Sequence, residues 1–160
     1  MNTYLDLGCG QDKKEGYLGL DIHPWPCVDV VHDATTGLPF PDNHFDKVYS
    51  GMFFEHLGKF QVPPMLRECH RVLREGGELR IIVPDLDKVL ADFLKAPLGD
   101  KYHFPLDTVF GGQAHEGEFH KTGFWPELCS TLFARAGLSY VKIREIRAYA
   151  QPSLEVTGYK

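Results

Sequence analysis

The chain has 160 residues and a formal net charge of −5, from 17 lysines and arginines against 22 aspartates and glutamates. Its length fits a single domain, and a hydrophobic content of 43% argues against disorder. No basic block favours tight nucleic-acid binding, and no apolar run is long enough to span a membrane. The four cysteines lack the close spacing of a zinc site, so we expect free thiols in a cytoplasmic protein.

The first half of the chain is predicted to consist of short strands. A buried strand, "TYLDLG", ends in the turn that contains Gly8 and Gly10, and a second strand, "YLGLD", follows almost at once. Only six residues separate Gly10 from Tyr17, although parallel strands normally need a crossover of about a dozen or more. "CVDVVHD" is a third strand. "FDKVYSG" is a fourth, after a loop punctuated by prolines.

The second half alternates helices with strands. "KFQVPPMLRECHRVLREGG" has helical spacing of its apolar residues, and Gly76 and Gly77 are expected to end the helix. A fifth strand, "ELRIIVPD", and the helices "LDKVLADFLK" and "WPELCSTLFARAG" follow. "SYVKIREIRAY" and "LEVTGYK" adjoin without a helix, which indicates an antiparallel pair. The pattern predicts one α/β domain over residues 1–160 with an open, mostly parallel sheet.

One long stretch, residues 96–125, fits no regular element. It is rich in glycine, proline and aromatic residues, and it includes His103, His115 and His120. Long irregular loops in compact domains are usually lids or disordered segments. The aromatic content argues against disorder, so we expect a lid or substrate loop.

Acidic residues end the first three strands: Asp6, Asp21 and Asp33. In an open parallel sheet, ligands bind outside the carboxyl ends of the strands. A carboxylate at Asp21 could accept both hydroxyls of a ribose, and Gly8 and Gly10 would let the backbone approach a ligand closely. The alternative is that the glycines form an ordinary turn, but acids at the next two strand ends make that interpretation less attractive.

The segments "LDLGCG", "LGLD", "HDATTGLPFPDNHFDKVYSGMFFEHL" and "RECHRVLREGGELRIIVPD" resemble a class I S-adenosylmethionine-dependent methyltransferase of the small type 11 group. The resemblance implies a Rossmann-like, mostly parallel seven-stranded sheet with a C-terminal antiparallel hairpin, and S-adenosyl-L-methionine as cofactor. The cofactor-binding residues it implies are Asp6, Gly8, Gly10, Asp21, Ile22, Asp33, Ala34, Ser50 and Gly51. Asp21 would hold the ribose, Ile22 the adenine, and Ser50 and Gly51 the methionine end.

The chain departs from the usual pattern of that family. Asp12 replaces the third glycine of the G-x-G-x-G loop, and the helices after strands one and two are reduced or absent. One face of the sheet would then be thinly covered, and an apolar sheet face is unstable in water. We therefore expect a homodimer, or a face covered by the aromatic segment folding back over it.

His56 in "FFEHL" and His115 and His120 in "GGQAHEGEFHKTGF" are candidate bases, with His120 and His56 as the predicted catalytic residues. Methyl transfer needs a base only when the acceptor is a hydroxyl or a protonated amine. The alternatives are that His56 packs or caps locally and that His120 is a structural residue under the lid. The spacing of Glu116 and the two lid histidines matches no metal site, so none is predicted.

Three functions remain open. The first is methyl transfer to a small-molecule or glycan-type acceptor. The second is a non-catalytic subunit that binds S-adenosylmethionine. The third is an NAD-dependent oxidoreductase, which would need G-x-G-x-x-G opening a helix, whereas here the sixth position is Lys13. No nucleic-acid or membrane partner is expected.

Overall fold

A computed structural model describes residues 3–97, 99, 104–113 and 116–160. The strands are β1 (Tyr4–Leu7), β2 (Leu18–Asp21), β3 (Val30–Val31), β4 (Phe45–Gly51), β5 (Leu73–Pro84), β6 (Ser139–Ala148) and β7 (Gln151–Tyr159). The α-helices are α1 (Val62–Val72), α2 (Leu86–Lys95), α3 (Phe104–Phe110) and α4 (Pro126–Arg135). Short 3-10 turns occur at Ala34–Thr36, Phe54–His56 and Glu116–Glu118.

The seven strands form one sheet in the order β3-β2-β1-β4-β5-β7-β6. Strands β1 to β5 pair in parallel, whereas β7 runs antiparallel to both β5 and β6. Tyr149 and Ala150, both with positive φ, make the tight turn between the last two strands. The predicted Rossmann-like sheet with its C-terminal antiparallel hairpin is therefore confirmed.

Helices α1 and α4 pack on one face of the sheet, which we call the helical face. The apolar side of α1 is buried there, and Phe133 of α4 lies directly against Gly158 of β7. Leu5, Leu79 and Val156 are fully buried beneath them. This packing makes a single core from the apolar residues that the sequence had placed on strands and helices.

The opposite face, which we call the open face, differs from expectation because it is polar and aromatic rather than apolar. Along one row of it, Asp6 lies beside Tyr49, Tyr49 beside Arg80, and Arg80 beside Thr157. The loop between β1 and β2 lies over this row, with the Lys14 ammonium 4.6 Å from the centre of the Tyr49 ring. A face of this kind tolerates water, which weakens the physical reason for expecting a partner there.

Ion pairs cover the other end of the open face. Arg80 lies 3.1 Å from Glu78 and 3.9 Å from Glu155, and Arg144 lies 3.1 Å from the same Glu155. The main-chain contacts of the described part of the aromatic segment are made elsewhere, with Glu55 after β4 and with Leu86 at the start of α2.

Two predicted boundaries differ from the structure. Helix α1 ends at Val72 instead of at the Gly76–Gly77 pair, because Leu73 is already extended and pairs with Phe45 of β4. The turn at Gly76, with φ +75°, therefore lies within β5. In the segment predicted to be irregular, residues Phe104–Phe110 form α3, which packs against α2. Among the described residues, no helix has the length and apolarity needed to cross a membrane.

Candidate functional site

Side-chain carboxylates accept hydrogen bonds from backbone amides in and beside the short crossover between β1 and β2. Asp6 accepts a hydrogen bond from the backbone amide of Lys14 at 2.7 Å. Asp29 accepts from the amide of Gly19 at 2.7 Å and pairs with the Lys13 ammonium at 2.7 Å. Because no helix forms here, the amide of Lys14 has no helical carbonyl as its acceptor. The Asp6 carboxylate accepts its hydrogen bond instead. Burial raises the pKa of Asp6 despite the bond from Lys14.

Asp21 connects the end of β2 to the glycine turn. Its side chain is buried, with 9% exposure, and it accepts hydrogen bonds from the backbone amides of Gly10 and His23, both at 2.9 Å. Each carboxylate oxygen has a second lone pair, so the group can accept further hydrogen bonds from a ligand. The structure thus fixes the orientation of a carboxylate at the predicted strand end.

A cleft of about 440 Å³ opens at this edge of the sheet. Six of the predicted cofactor residues line it: Gly8, Gly10, Asp21, Ile22, Asp33 and Ala34. Its volume is in the range of small-molecule sites. Ile22 is 56% exposed and offers a bare apolar surface, while Asp33 is held by hydrogen bonds from the Thr35 side chain and amide, which lower the pKa of the Asp33 carboxyl.

The two glycines of the turn have different surroundings. Gly10 has φ +53°, and a Cβ built there would meet nothing within 4 Å, because the residue faces open space. Gly8 has φ +69°, and a Cβ there would lie 2.5 Å from the Phe53 ring. Gly8 is therefore required by packing, whereas Gly10 leaves room for a ligand to approach the backbone.

The remaining predicted cofactor residues lie elsewhere. Asp6 and Gly51 line a second hollow of about 360 Å³, which is also bordered by Lys14 and Tyr49. Ser50 is fully buried, and its hydroxyl donates to the Leu7 carbonyl at 2.8 Å, so it joins β4 to β1. The sequence could not separate these positions from the cleft, since all of them occur at the carboxyl ends of neighbouring strands.

The predicted catalytic histidines are in contact with each other. Their ring centres are 4.9 Å apart, and the rings meet edge to face at 75°. His56 lines the cleft, whereas His120 borders a cavity of about 10 Å³ behind it. Burial lowers the pKa of both imidazoles, and in His56 the neighbouring His120 lowers it further. Both rings therefore favour the neutral form near pH 7. His115 and the side chain of Glu116 lie outside the described residues.

Main-chain hydrogen bonds join residues 119–122 to the turn that follows β4. The amides of Lys121 and Thr122 donate to the Glu55 carbonyl at 2.7 and 3.2 Å. The Thr122 hydroxyl donates to the Leu57 carbonyl at 2.6 Å. The segment predicted to be a lid therefore holds His120 beside the end of β4, and Lys121 reaches the rim of the cleft.

Sequence reasoning missed several residues around the cleft. Trp25, Leu57 and Lys121 also line it. It missed Glu55 as well, which is 1% exposed and has no hydrogen-bond partner for either carboxylate oxygen. Burial raises the pKa of Glu55 to about 8. The sequence feature that could have drawn attention to Glu55 is its charge beside the apolar Phe54, shortly after a buried strand.

Comparison with known proteins agrees with the methyltransferase resemblance noted from the sequence. A family model described as a methyltransferase domain, of type 11, matches residues 14–81. The demethylmenaquinone methyltransferase of Listeria welshimeri is 40% identical over 149 residues, which cover 85% of this chain and 56% of that protein. The chain spans about half the length of the curated relatives it matches.

Solved structures share the fold at low sequence identity. An S-adenosylmethionine-dependent methyltransferase from Archaeoglobus fulgidus superposes with a TM-score of 0.69 at 20% identity, over 98% of this chain and 85% of that one. The 1,6-didemethyltoxoflavin-N1-methyltransferase of Burkholderia thailandensis, solved with 1,6-didemethyltoxoflavin and S-adenosylhomocysteine, gives 0.68 at 15%, over 98% and 70%. In fold, motif order and family match, the chain is thus similar to the class I, type 11-like group of S-adenosylmethionine-dependent methyltransferases.

Proposed function

We propose that this chain binds S-adenosyl-L-methionine in the cleft at the carboxyl ends of β1 and β2 and transfers its methyl group to a small-molecule or glycan-type acceptor. The observation that carries the proposal is the oriented Asp21 carboxylate beside the two left-handed glycines. A buried acid next to an apolar surface suits a nucleoside, which has two hydroxyls on one side and a flat base on the other.

The residues of the cleft fit the parts of the cofactor. Asp21 would accept the ribose hydroxyls through its remaining lone pairs. Ile22 and Ala34 would contact the adenine ring, and Asp33 its polar edge. The family resemblance assigns Asp6, Ser50 and Gly51 to the methionine end. Because the Ser50 hydroxyl is buried and bonded to the Leu7 carbonyl, Ser50 would act there only by holding β4 against β1. The bound cofactor supplies an electrophilic methyl group on a sulfonium.

At the acceptor end, the chain's main task is alignment of the acceptor with the methyl group. In-line positioning of this kind lowers barriers by roughly 7–11 kcal/mol. Phe53, His56 and Leu57 form the part of the cleft wall that belongs to the turn after β4. If the acceptor carries a proton, His56 is the candidate base that borders the cleft, and His120 supports it from behind.

A small acceptor is supported by the size of the cleft and by the names of the relatives, which act on demethylmenaquinone and didemethyltoxoflavin. An NAD-dependent reaction is less well supported. Among the described residues no helix begins at the glycine turn, so the site lacks the helix N-terminus that binds a pyrophosphate. A non-catalytic subunit would keep the cofactor cleft but transfer no methyl group.

Calorimetric titration of the full chain with S-adenosylhomocysteine, with NAD as the control ligand, tests the cofactor assignment. We expect binding of the first compound and no binding of the second. Radiolabelled methyl transfer to a panel of quinol, heterocycle and sugar acceptors then separates the enzyme from the subunit. Binding without transfer to any acceptor would favour the subunit, and no binding of S-adenosylhomocysteine would refute the proposal.

The homodimer and the cytoplasmic location expected from the sequence stay predictions. A dimer through the open face would be held by tyrosines and ion pairs rather than by aliphatic contacts. The net charge of −5 still argues against a nucleic-acid partner.

A further inference from the structure

Three side chains meet behind the cleft in an arrangement that the sequence did not indicate. Glu55, His56 and His120 each offer a ligand atom, and these atoms lie within 4.8 Å of one another. Glu55 and His56 come from the turn after β4, and His120 comes from residues 119–122, more than sixty residues later. Local sequence therefore cannot account for this cluster, and only the docking of the two segments creates it.

The hydrogen bonds of the two rings leave both lone pairs available to the cluster. The Nδ1 of His56 lies 3.2 Å from the Phe119 carbonyl, and the Nδ1 of His120 lies 2.8 Å from the Thr108 carbonyl. A carbonyl only accepts, so each Nδ1 carries the hydrogen and each neutral ring has its lone pair on Nε2. Imidazoles that bind metals are commonly held in this way, with the other ring nitrogen donating to a carbonyl.

The carboxyl group of Glu55 completes the cluster, and when it is ionised the three side chains offer acceptors only. The side chain is 1% exposed, and neither oxygen has a hydrogen-bond partner among the described residues. Burying a polar group without a partner is unfavourable, and burying a charged one is more so. An adjoining cavity of about 10 Å³, which Glu55 and His120 line, has room for about one water-sized group or ion. With Glu55 ionised, the cluster therefore holds a buried negative charge with no positively charged partner among the described residues.

We propose that Glu55, His56 and His120 bind one divalent transition-metal ion, with Zn²⁺ as the ion that best suits two imidazoles and one carboxylate. Three protein ligands leave a fourth position for water or an acceptor oxygen, as in three-ligand zinc sites. Tetrahedral coordination at about 2.0–2.1 Å brings ligand atoms to about 3.3 Å apart, so the widest pair would close by up to about 1.5 Å.

The ion would link the segment predicted to be a lid to the turn after β4. The backbone already joins them through the Glu55 carbonyl, and the metal would add a bond between their side chains. Coordination uses the Nε2 lone pair of His56. A metal-loaded site is therefore incompatible with His56 acting as a general base, and in that state His56 shapes the wall of the cleft.

Metal binding can be measured without cofactor or acceptor, so the test does not depend on the proposed methyl transfer. The full chain, treated with a chelator and dialysed, is titrated with Co²⁺ by visible absorption and with Zn²⁺ by calorimetry. We expect one ion per chain, the absorption bands of tetrahedral Co²⁺, and their displacement by Zn²⁺. Bound Zn²⁺ should also raise the melting temperature, because it binds the native state.

Variants identify the ligands. Glu55→Gln, His56→Asn and His120→Asn should each weaken Zn²⁺ binding about tenfold or more, since even outer-shell changes cost that much. His70→Asn on α1 and Glu75→Gln on the surface are matched controls that should bind as the parent does. Circular dichroism establishes that each variant is folded.

Two results would overturn the site: no binding of either ion, or binding that persists unchanged in all three ligand variants. Titration with S-adenosylhomocysteine in the metal-free chain keeps the two proposals apart. Loss of metal binding with nucleoside binding intact refutes only the metal site. Loss of nucleoside binding with metal binding intact refutes only the cofactor assignment.

Discussion

The Asp21 carboxylate accepts a hydrogen bond of 2.9 Å from the backbone amide of Gly10, so the end of β2 is bonded to the glycine turn that follows β1. In this chain the crossover between the two strands contains no helix among its described residues. Side-chain carboxylates therefore accept backbone hydrogen bonds that the carbonyls of a helix would otherwise accept. The same residue that is proposed to bind ribose also determines the shape of the loop beside it.

Replacing Asp21 by Asn should weaken S-adenosylhomocysteine binding by tenfold or more. The amide has one acceptor oxygen, which Gly10 or His23 already engages, and a lost charge-assisted hydrogen bond is worth about 1.5–3 kcal/mol. Calorimetry measures the change, with Asp42→Asn, a surface carboxylate paired with Arg71, as the control. Equal affinity in the Asp21 variant and the parent would remove Asp21 from the cofactor site.

Replacing either glycine of the turn by alanine should lower the stability of the protein, but by different amounts. Gly10→Ala should lower the free energy of unfolding by about 1–2 kcal/mol, the cost of a left-handed φ for an L-residue. Gly8→Ala should cost a further 1–3 kcal/mol or so, because its Cβ overlaps Phe53 at 2.5 Å. Urea unfolding of both variants provides the comparison. Equal losses would mean that Phe53 moves aside freely.

Glu68 should stabilise the loop before β4 in a pH-dependent way. It accepts from the Leu38 amide at 2.8 Å and pairs with Arg71 at 2.7 Å, and the bond from Arg71 holds the pKa of the Glu68 carboxyl below its ordinary value of 4.5. Glu68→Gln should lose about 1–3 kcal/mol of stability near pH 7.

The direction of this pH dependence follows from the lowered pKa of Glu68. The contribution is complete above about pH 4.5, where the unfolded group is ionised, and it disappears as the pH falls through the folded value. The stability difference between parent and Glu68→Gln should therefore stay constant from pH 7 to pH 5 and shrink below pH 4.5. A difference that grows on acidification would contradict this role.

The oligomeric state should depend on salt. A homodimer that uses the open face would depend on charges such as Arg144 and Glu155, so it should form at low salt and dissociate at high salt. Light scattering after size exclusion measures this. Arg144→Glu should weaken the dimer, whereas Arg135→Glu at the end of α4, on the helical face, should not. A monomer under all conditions would show that the homodimer expectation was wrong.

The sequence by itself determined the sheet and much of the cleft. Strand β1 with its two glycines and the acids at the ends of β2 and β3 are local patterns, and local patterns decide which residues sit at strand ends. The final hairpin was predictable because no helix separates its strands. Asp21, Asp33, Gly8 and Gly10 therefore line one cleft, as their positions indicated.

Only the tertiary structure decided the rest. The end of α1 moved to Val72 because Leu73 pairs with Phe45, a contact between residues far apart in the chain. Strand register places Tyr49 of β4 beside Arg80 of β5 on the open face, a pairing that neither strand reveals alone. His56 and His120 meet over Glu55 because backbone bonds dock two distant segments. Contacts across long sequence separations carry no local periodicity, so a single sequence leaves them open.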